Sequence, residues 1–139
     1  AQHIAAEFVS RFFYDRPGLP AIALTTDTSM LTAIGNDYGY RKLFSRQIQA
    51  QGNSGDIFIG ISTSGNSENI IEAVNEAKKL ELTTVALCGQ GGILSSIVDF
   101  AIPAPSKSTP LIQECHIVIG HIICGLVEER IFPKEKLDV

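Results

Sequence analysis

An α/β fold, with a parallel sheet flanked by helices, is what the sequence predicts, and three observations predict it. Short apolar runs such as Ile57-Phe58-Ile59-Gly60-Ile61 and Thr83 to Leu87 read as strands buried on both faces. They alternate with stretches of helical period, so successive strands need crossover connections. The chain has 139 residues, of which 45% are hydrophobic, enough for the core of one domain.

The elements follow in order. Ala1 to about Tyr14 carries Ile4, Ala5, Phe8, Val9 and Phe12 at helical spacing and ends before Arg16-Pro17-Gly18. Pro20 to Thr25 reads as a short buried strand. Thr26-Asp27-Thr28 caps a helix through Ile34, which Gly35-Asn36-Asp37 breaks. A helix is expected from about Arg41 to Ala50, a turn over Gly52 to Gly55, and a strand from Asp56 to Ile61. Asn69 to Leu80 places Ile70, Ile71, Val74 and Ala77 on one helical face. Thr83 to Leu87 is the next strand, Ile93 to Ile97 a short helix, and Phe100 to Ile102 a last short strand. A proline-containing loop, Pro103 to Pro110, leads into a long helix to about Arg130.

Composition narrows the function. A formal charge of −4 and a pI near 5.3 give no basic surface for a nucleic-acid backbone. Cys88, Cys115 and Cys124 are odd in number, lie in apolar segments and form no C-x-x-C pair, as buried free thiols in a reducing compartment do. With no signal peptide, and no apolar run judged to approach the roughly 18 residues of a membrane span, the expected location is cytoplasmic. The first residues, Ala1-Gln2-His3, already read as helix interior without a cap ahead of them, so the expectation is a piece of a longer protein.

The densest chemical signal is Ser62-Thr63-Ser64-Gly65-Asn66-Ser67, between an apolar strand and a helix. Hydroxyls and free backbone N–H groups converge at such a turn, and the helix dipole favours an anion there. It has no lysine and no Walker spacing, so a small phosphorylated metabolite fits better than a nucleoside triphosphate. An ordinary capped turn uses the same residue types, and both readings stand.

Other polar residues also pair by spacing. His3 and Glu7 are four apart on the first helix, and Gln113 and His121 eight apart on the last. Together they offer nitrogen and oxygen donors for a divalent ion, or a base and an acid. Taken alone, His3, His121 and His116 are more often solvated or hydrogen-bonded than catalytic, Glu7 reads as a solvated face, and Gln113 as a core-edge amide. Asn36-Asp37 reads as a helix stop, and Gly91-Gly92 as a loop.

Gly60 to Ser67 resembles the phosphosugar-binding loop of the SIS (sugar isomerase) domain family. Ala1-Gln2-His3-Ile4-Ala5-Ala6-Glu7-Phe8, Arg16 to Ala23, Gly35 to Gly39, Phe44 to Gln47 and Ile112 to His116 are similar, in this order, to the phosphoheptose isomerase branch. The resemblance implies a single SIS domain over residues 1–139, a three-layer flavodoxin-like fold, and a homotetramer with active sites between subunits. It implies isomerisation of sedoheptulose 7-phosphate to D-glycero-D-manno-heptose 7-phosphate for lipopolysaccharide and related glycans. By the same resemblance Ser62, Thr63, Ser64 and Ser67 hold the phosphate, and Asn36, Asp37 and Gln113 contact the sugar. Glu7 is then the base and His121 the acid, with His3, Glu7, Gln113 and His121 the ligands of zinc. The family's Gly-Asn-Gly-Gly-Ser segment and the strand before it would precede Ala1, so that strand and part of the substrate site are expected to be missing. An acidic residue that some members carry before the glutamine has no match at Thr109-Pro110-Leu111.

A non-enzymatic SIS protein that binds the bacterial replication initiator shares several of these motifs, including a late Phe-Pro resembling Phe132-Pro133. It lacks equivalents of Glu7 and His121. Both are present here, which favours the enzyme.

Overall fold

The computed structural model describes residues 1–134. The elements are α1 (Gln2–Val9), α2 (Thr28–Tyr38), a 3₁₀ turn (Tyr40–Lys42), α3 (Ser45–Gln51), β1 (Ile57–Ser62), α4 (Glu68–Lys79), β2 (Thr83–Cys88), α5 (Leu94–Ile97), β3 (Phe100–Pro103) and α6 (Thr109–Ile131). They fall into two compact units: Asp27–His116, and Ala1–Thr26 together with the described residues from Ile117.

The Asp27–His116 unit holds the expected parallel sheet, in the order β1-β2-β3. Ile57 pairs with Thr83 and Ser62 with Cys88, so the carboxyl ends of β1 and β2 are level. Helix α4 crosses between them, and Ala73, Val74 and Ala77 on its inner face are fully buried. Gly60 lets α4 come close, since a Cβ there would sit 2.9 Å from the Ile70 side chain. Ala86, Leu87, Cys88, Leu94 and Ala104 complete a dry core beside the ends of the strands. Strand burial alternates along β1, and Ile57 and Phe100 are exposed, so the expected cover of the sheet is incomplete at these positions.

Helix α2 starts where expected, with Asp27 Oδ1 accepting from the Met30 N–H at 2.8 Å. It does not stop at Gly35. A glycine inside a helix costs only about 1 kcal/mol, and the helix runs on to Tyr38, ending at Gly39 with φ +79°. Asn36 and Asp37 therefore stand on its last turn.

In the other unit, the helix expected to reach Tyr14 ends at Val9. The chain turns back, and the Leu19 N–H and the Arg16 guanidinium take carbonyls that further helical turns would have bonded. Residues 20–25 are not a strand. Their apolar composition suggested one, but strands are defined by ladder partners, and Ile22 is exposed.

Helix α6 is long and apolar enough to cross a membrane by length and composition, which corrects the expectation that no run approaches that size. Its polar residues argue for packing on protein. Glu128 is buried in an ion pair with Arg16, and His116 is buried against the end of β2.

Candidate functional site

The hydroxyl turn follows β1 directly. Ser62 is the last residue of that strand, and Ser67 is the N-cap position of α4. Ser67 makes no capping bond through its side chain; its hydroxyl instead meets Ser62 Oγ at 2.8 Å. Ser64 Oγ lies 3.5 Å from Ser62 Oγ and accepts from the Asn66 N–H at 3.1 Å. Three hydroxyls thus converge at a helix N-terminus, an arrangement able to hold phosphate oxygens.

The loop after β2 covers this turn. Gly89 N–H donates to the Thr63 carbonyl, Leu94 N–H to that of Gly65, and Ile93 N–H to Asn66 Oδ1. Gly65 (φ +66°) and Gly92 (φ +83°) make the approach possible, because a Cβ on Gly92 would lie 2.5 Å from the Ser64 carbonyl oxygen. A glycine pair read as an ordinary loop is thus a close backbone contact, and only the fold reveals it.

Asn36 and Asp37 are exposed, and Asn36 Nδ2 donates to Asp37 Oδ1 at 2.8 Å. Gln113 is exposed near the start of α6. His116 is buried, with Nε2 3.2 Å from the Cys88 carbonyl oxygen, while Nδ1 has no hydrogen-bond partner among the described residues.

In the other unit His3, Glu7 and His121 come together. His3 Nε2 is 2.9 Å from His121 Nε2 and 3.4 Å from Glu7 Oε1, and donor atoms of all three lie within 4.8 Å of one another. The pairing of His3 with Glu7 follows from helical spacing; that with His121 needs α1 against α6, where Gly120 leaves room for Ile4. The Phe12 ring, 5.6 Å from that of His121 between centroids, packs beside it. The geometry fits a metal ion as well as a hydrogen-bonded trio. A tetrahedral ion with bonds of about 2.0–2.1 Å holds its donors roughly 3.3 Å apart, close to the 2.9 and 3.4 Å of the two spacings from His3 Nε2. Two imidazoles and a carboxylate are the donors a borderline divalent ion takes.

All three cysteines are free; Cys88 and Cys124 are buried and Cys115 is half-buried. Burial, with the nearby Glu7 charge adding to it, pushes the Cys124 thiol above its usual range, and burial does the same to Cys88. Neither is poised as a nucleophile.

The residue reading missed Arg16 and Glu128. Arg16 looked like part of a turn, and nothing local joins it to a glutamate 112 positions away.

A parallel sheet with a hydroxyl turn at the carboxyl end of β1 matches the comparison with known families, where the SIS domain model covers residues 1–89. The chain belongs to the SIS domain family. Phosphoheptose isomerases are among its relatives there. That of Aneurinibacillus thermoaerophilus is 64% identical over 140 residues, spanning 100% of this chain and 71% of that protein. Phosphoheptose isomerase 2 of Campylobacter jejuni is 62% identical, over 96% of this chain and 67% of its own length. Among solved structures, a phosphoheptose isomerase from Francisella tularensis superposes with a TM-score of 0.89 at 43% identity, covering 93% of this chain and 70% of that one. One from Neisseria gonorrhoeae gives 0.82 at 44% identity, over 93% and 69%.

Proposed function

We propose that this chain is an aldose–ketose isomerase that interconverts sedoheptulose 7-phosphate and D-glycero-D-manno-heptose 7-phosphate, as one SIS domain working in a homotetramer. The observation that carries the reading is the convergence of His3, Glu7 and His121, joined to relatives named for this activity. The non-catalytic alternative has no use for a carboxylate and two imidazoles held together.

Ser62, Thr63, Ser64 and Ser67 hold the phosphate, with Asn36, Asp37 and Gln113 on the sugar hydroxyls. The Glu7 carboxylate takes a proton from C1 of the ketose and returns it to C2. The imidazole of His121 gives a proton to the C2 oxygen as the enediol forms and takes one back from the C1 hydroxyl as the aldehyde closes, so the proton count balances. With the proton on His121, His3 Nε2 accepts from the His121 Nε2–H at 2.9 Å and so orients the acid.

His3, Glu7, Gln113 and His121 would hold zinc. When bound, the ion would supply positive charge beside the developing oxyanion. One lone pair on His121 Nε2 cannot hold a proton and an ion together, so the acid role belongs to the metal-free trio. A cytoplasmic location and a place in heptose supply for surface glycans such as lipopolysaccharide belong to the same reading, since the phosphorylated substrate is charged and stays where it is made.

The test is incubation with sedoheptulose 7-phosphate, comparing wild type with Glu7→Gln and His121→Gln. Turnover by wild type that both substitutions remove supports the reading. Equal turnover in all three, or none in any, overturns it.

A further inference from the structure

We propose that Arg16 and Glu128 form a buried positioning pair that sets the distance between the Glu7 and His121 side chains, a role that rests on the reading of His3, Glu7 and His121 as the reacting cluster. Both side chains are 1% exposed, and Arg16 Nε meets Glu128 Oε1 at 2.9 Å. Charged side chains are seldom buried so completely without a partner, and here the surroundings take up nearly every remaining donor and acceptor.

Each member reaches one side of the cluster. The Arg16 fork donates to the carbonyls of Glu7 at 2.8 Å and Phe8 at 2.6 Å, the last turn of α1, which carries the reacting carboxylate. Glu128 accepts from the N–H groups of Phe12 at 2.9 Å and Phe13 at 2.7 Å. The Phe12 ring then rests beside His121, which stands seven residues before Glu128, two turns back along α6. Glu7 is thus fixed through Arg16, and His121 through Glu128 and Phe12. The pair joins the two fixings with a rigid, bidentate-capable group that lysine cannot reproduce.

The pair is a single charged unit in the folded state. Burial raises the Glu128 carboxyl, but the Phe13 and Phe12 N–H groups and the Arg16 guanidinium outweigh it and hold the group below its ordinary value. Neither residue touches a sugar in this reading, so neither is a catalytic residue.

Arg16→Lys keeps the charge and loses the fork; Glu128→Gln keeps the shape and loses the charge. In the whole chain, with folded fraction set by circular dichroism, each is expected to lower kcat at least tenfold while KM for sedoheptulose 7-phosphate stays within about twofold. Nitrogen-15 spectra of the metal-free proteins give a second readout, in which the His3–His121 hydrogen-bond signals of wild type are lost or broadened in both variants. Unchanged kcat per folded molecule together with unchanged ring signals overturns the proposal and leaves a purely structural ion pair. A wild type that does not turn over the heptose phosphate defeats the isomerase reading alone. The ring signals then decide the positioning role: loss in both variants supports it, retention overturns it.

Discussion

His3 Nε2 and His121 Nε2 lie 2.9 Å apart although 118 positions separate them in the chain. At that distance one nitrogen carries the proton and the other offers its lone pair, or both lone pairs face an ion. An ion that binds the folded chain and not the unfolded one stabilises it by mass action, by about 2.7 kcal/mol at one hundred times its dissociation constant. Zinc at that excess is therefore expected to raise the melting temperature of wild type and of His116→Gln, whose ring bonds the Cys88 carbonyl instead. It is expected to leave His121→Gln nearly unmoved. A shift of equal size in all three proteins would place the ion elsewhere.

Glu7 is the one carboxylate in the cluster. General-base assistance contributes about 10²–10⁴ in rate, so Glu7→Gln is expected to lower kcat by that range with the melting temperature little changed. A loss smaller than fivefold, measured by single-turnover isomerisation, would remove Glu7 as the base.

The parallel sheet was legible because its strands are apolar runs whose burial needs no distant information, and α4 because Val74 and Ala77 recur at helical spacing. The run from Pro20 to Thr25 misled for the reason β1 did not: composition is local, while ladder partners are tertiary. Local capping rules placed Asp27 correctly. They gave no account of α1 ending at Val9, where an arginine eight and nine residues on takes over the carbonyls of Phe8 and Glu7. His3 with Glu7 could be read from spacing, and the resemblance brought in His121. Arg16 with Glu128 could be read from neither, because a buried ion pair looks in sequence like two surface charges.

Gly91 and Gly92 separate conformational strain from contact. Both have positive φ, but a Cβ on Gly91 meets open space, whereas one on Gly92 meets the backbone of Ser64 and Gly65. Alanine at either site costs on the order of 1 kcal/mol of backbone strain. Only Gly92→Ala must also push the hydroxyl turn out of place. Gly92→Ala is expected to raise KM for the phosphorylated sugar at least tenfold, and Gly91→Ala less than threefold. Equal effects in steady-state kinetics would mean that the loop does not shape the turn.

Acid stability should report on the junction between β2 and β3. Asp99 Oδ2 accepts from the Thr84 N–H at 2.8 Å and from the Thr84 hydroxyl at 2.7 Å. Those two bonds, against the opposing pull of burial and with a smaller contribution from Lys78, hold the Asp99 carboxyl below its ordinary value. A carboxyl lowered on folding stabilises the protein fully above its unfolded value, near about 3.9, and loses that contribution as pH falls through the lower folded value. Thr84→Val removes the hydroxyl's bond to the carboxylate and the one its oxygen accepts from the Asp99 N–H, and keeps the backbone bonds from the Thr84 N–H to Asp99 Oδ2 and from the Asp99 N–H to the Thr84 carbonyl. Its urea midpoint should therefore lie below that of wild type at pH 7, and the gap should narrow below about pH 4 as the carboxyl is protonated. Lys78→Met should leave the midpoint at pH 7 nearly unchanged, because that pair is exposed and 3.8 Å apart. A gap between wild type and Thr84→Val that stays constant from pH 7 to pH 3 would show that packing, not the carboxylate, is what Thr84 contributes.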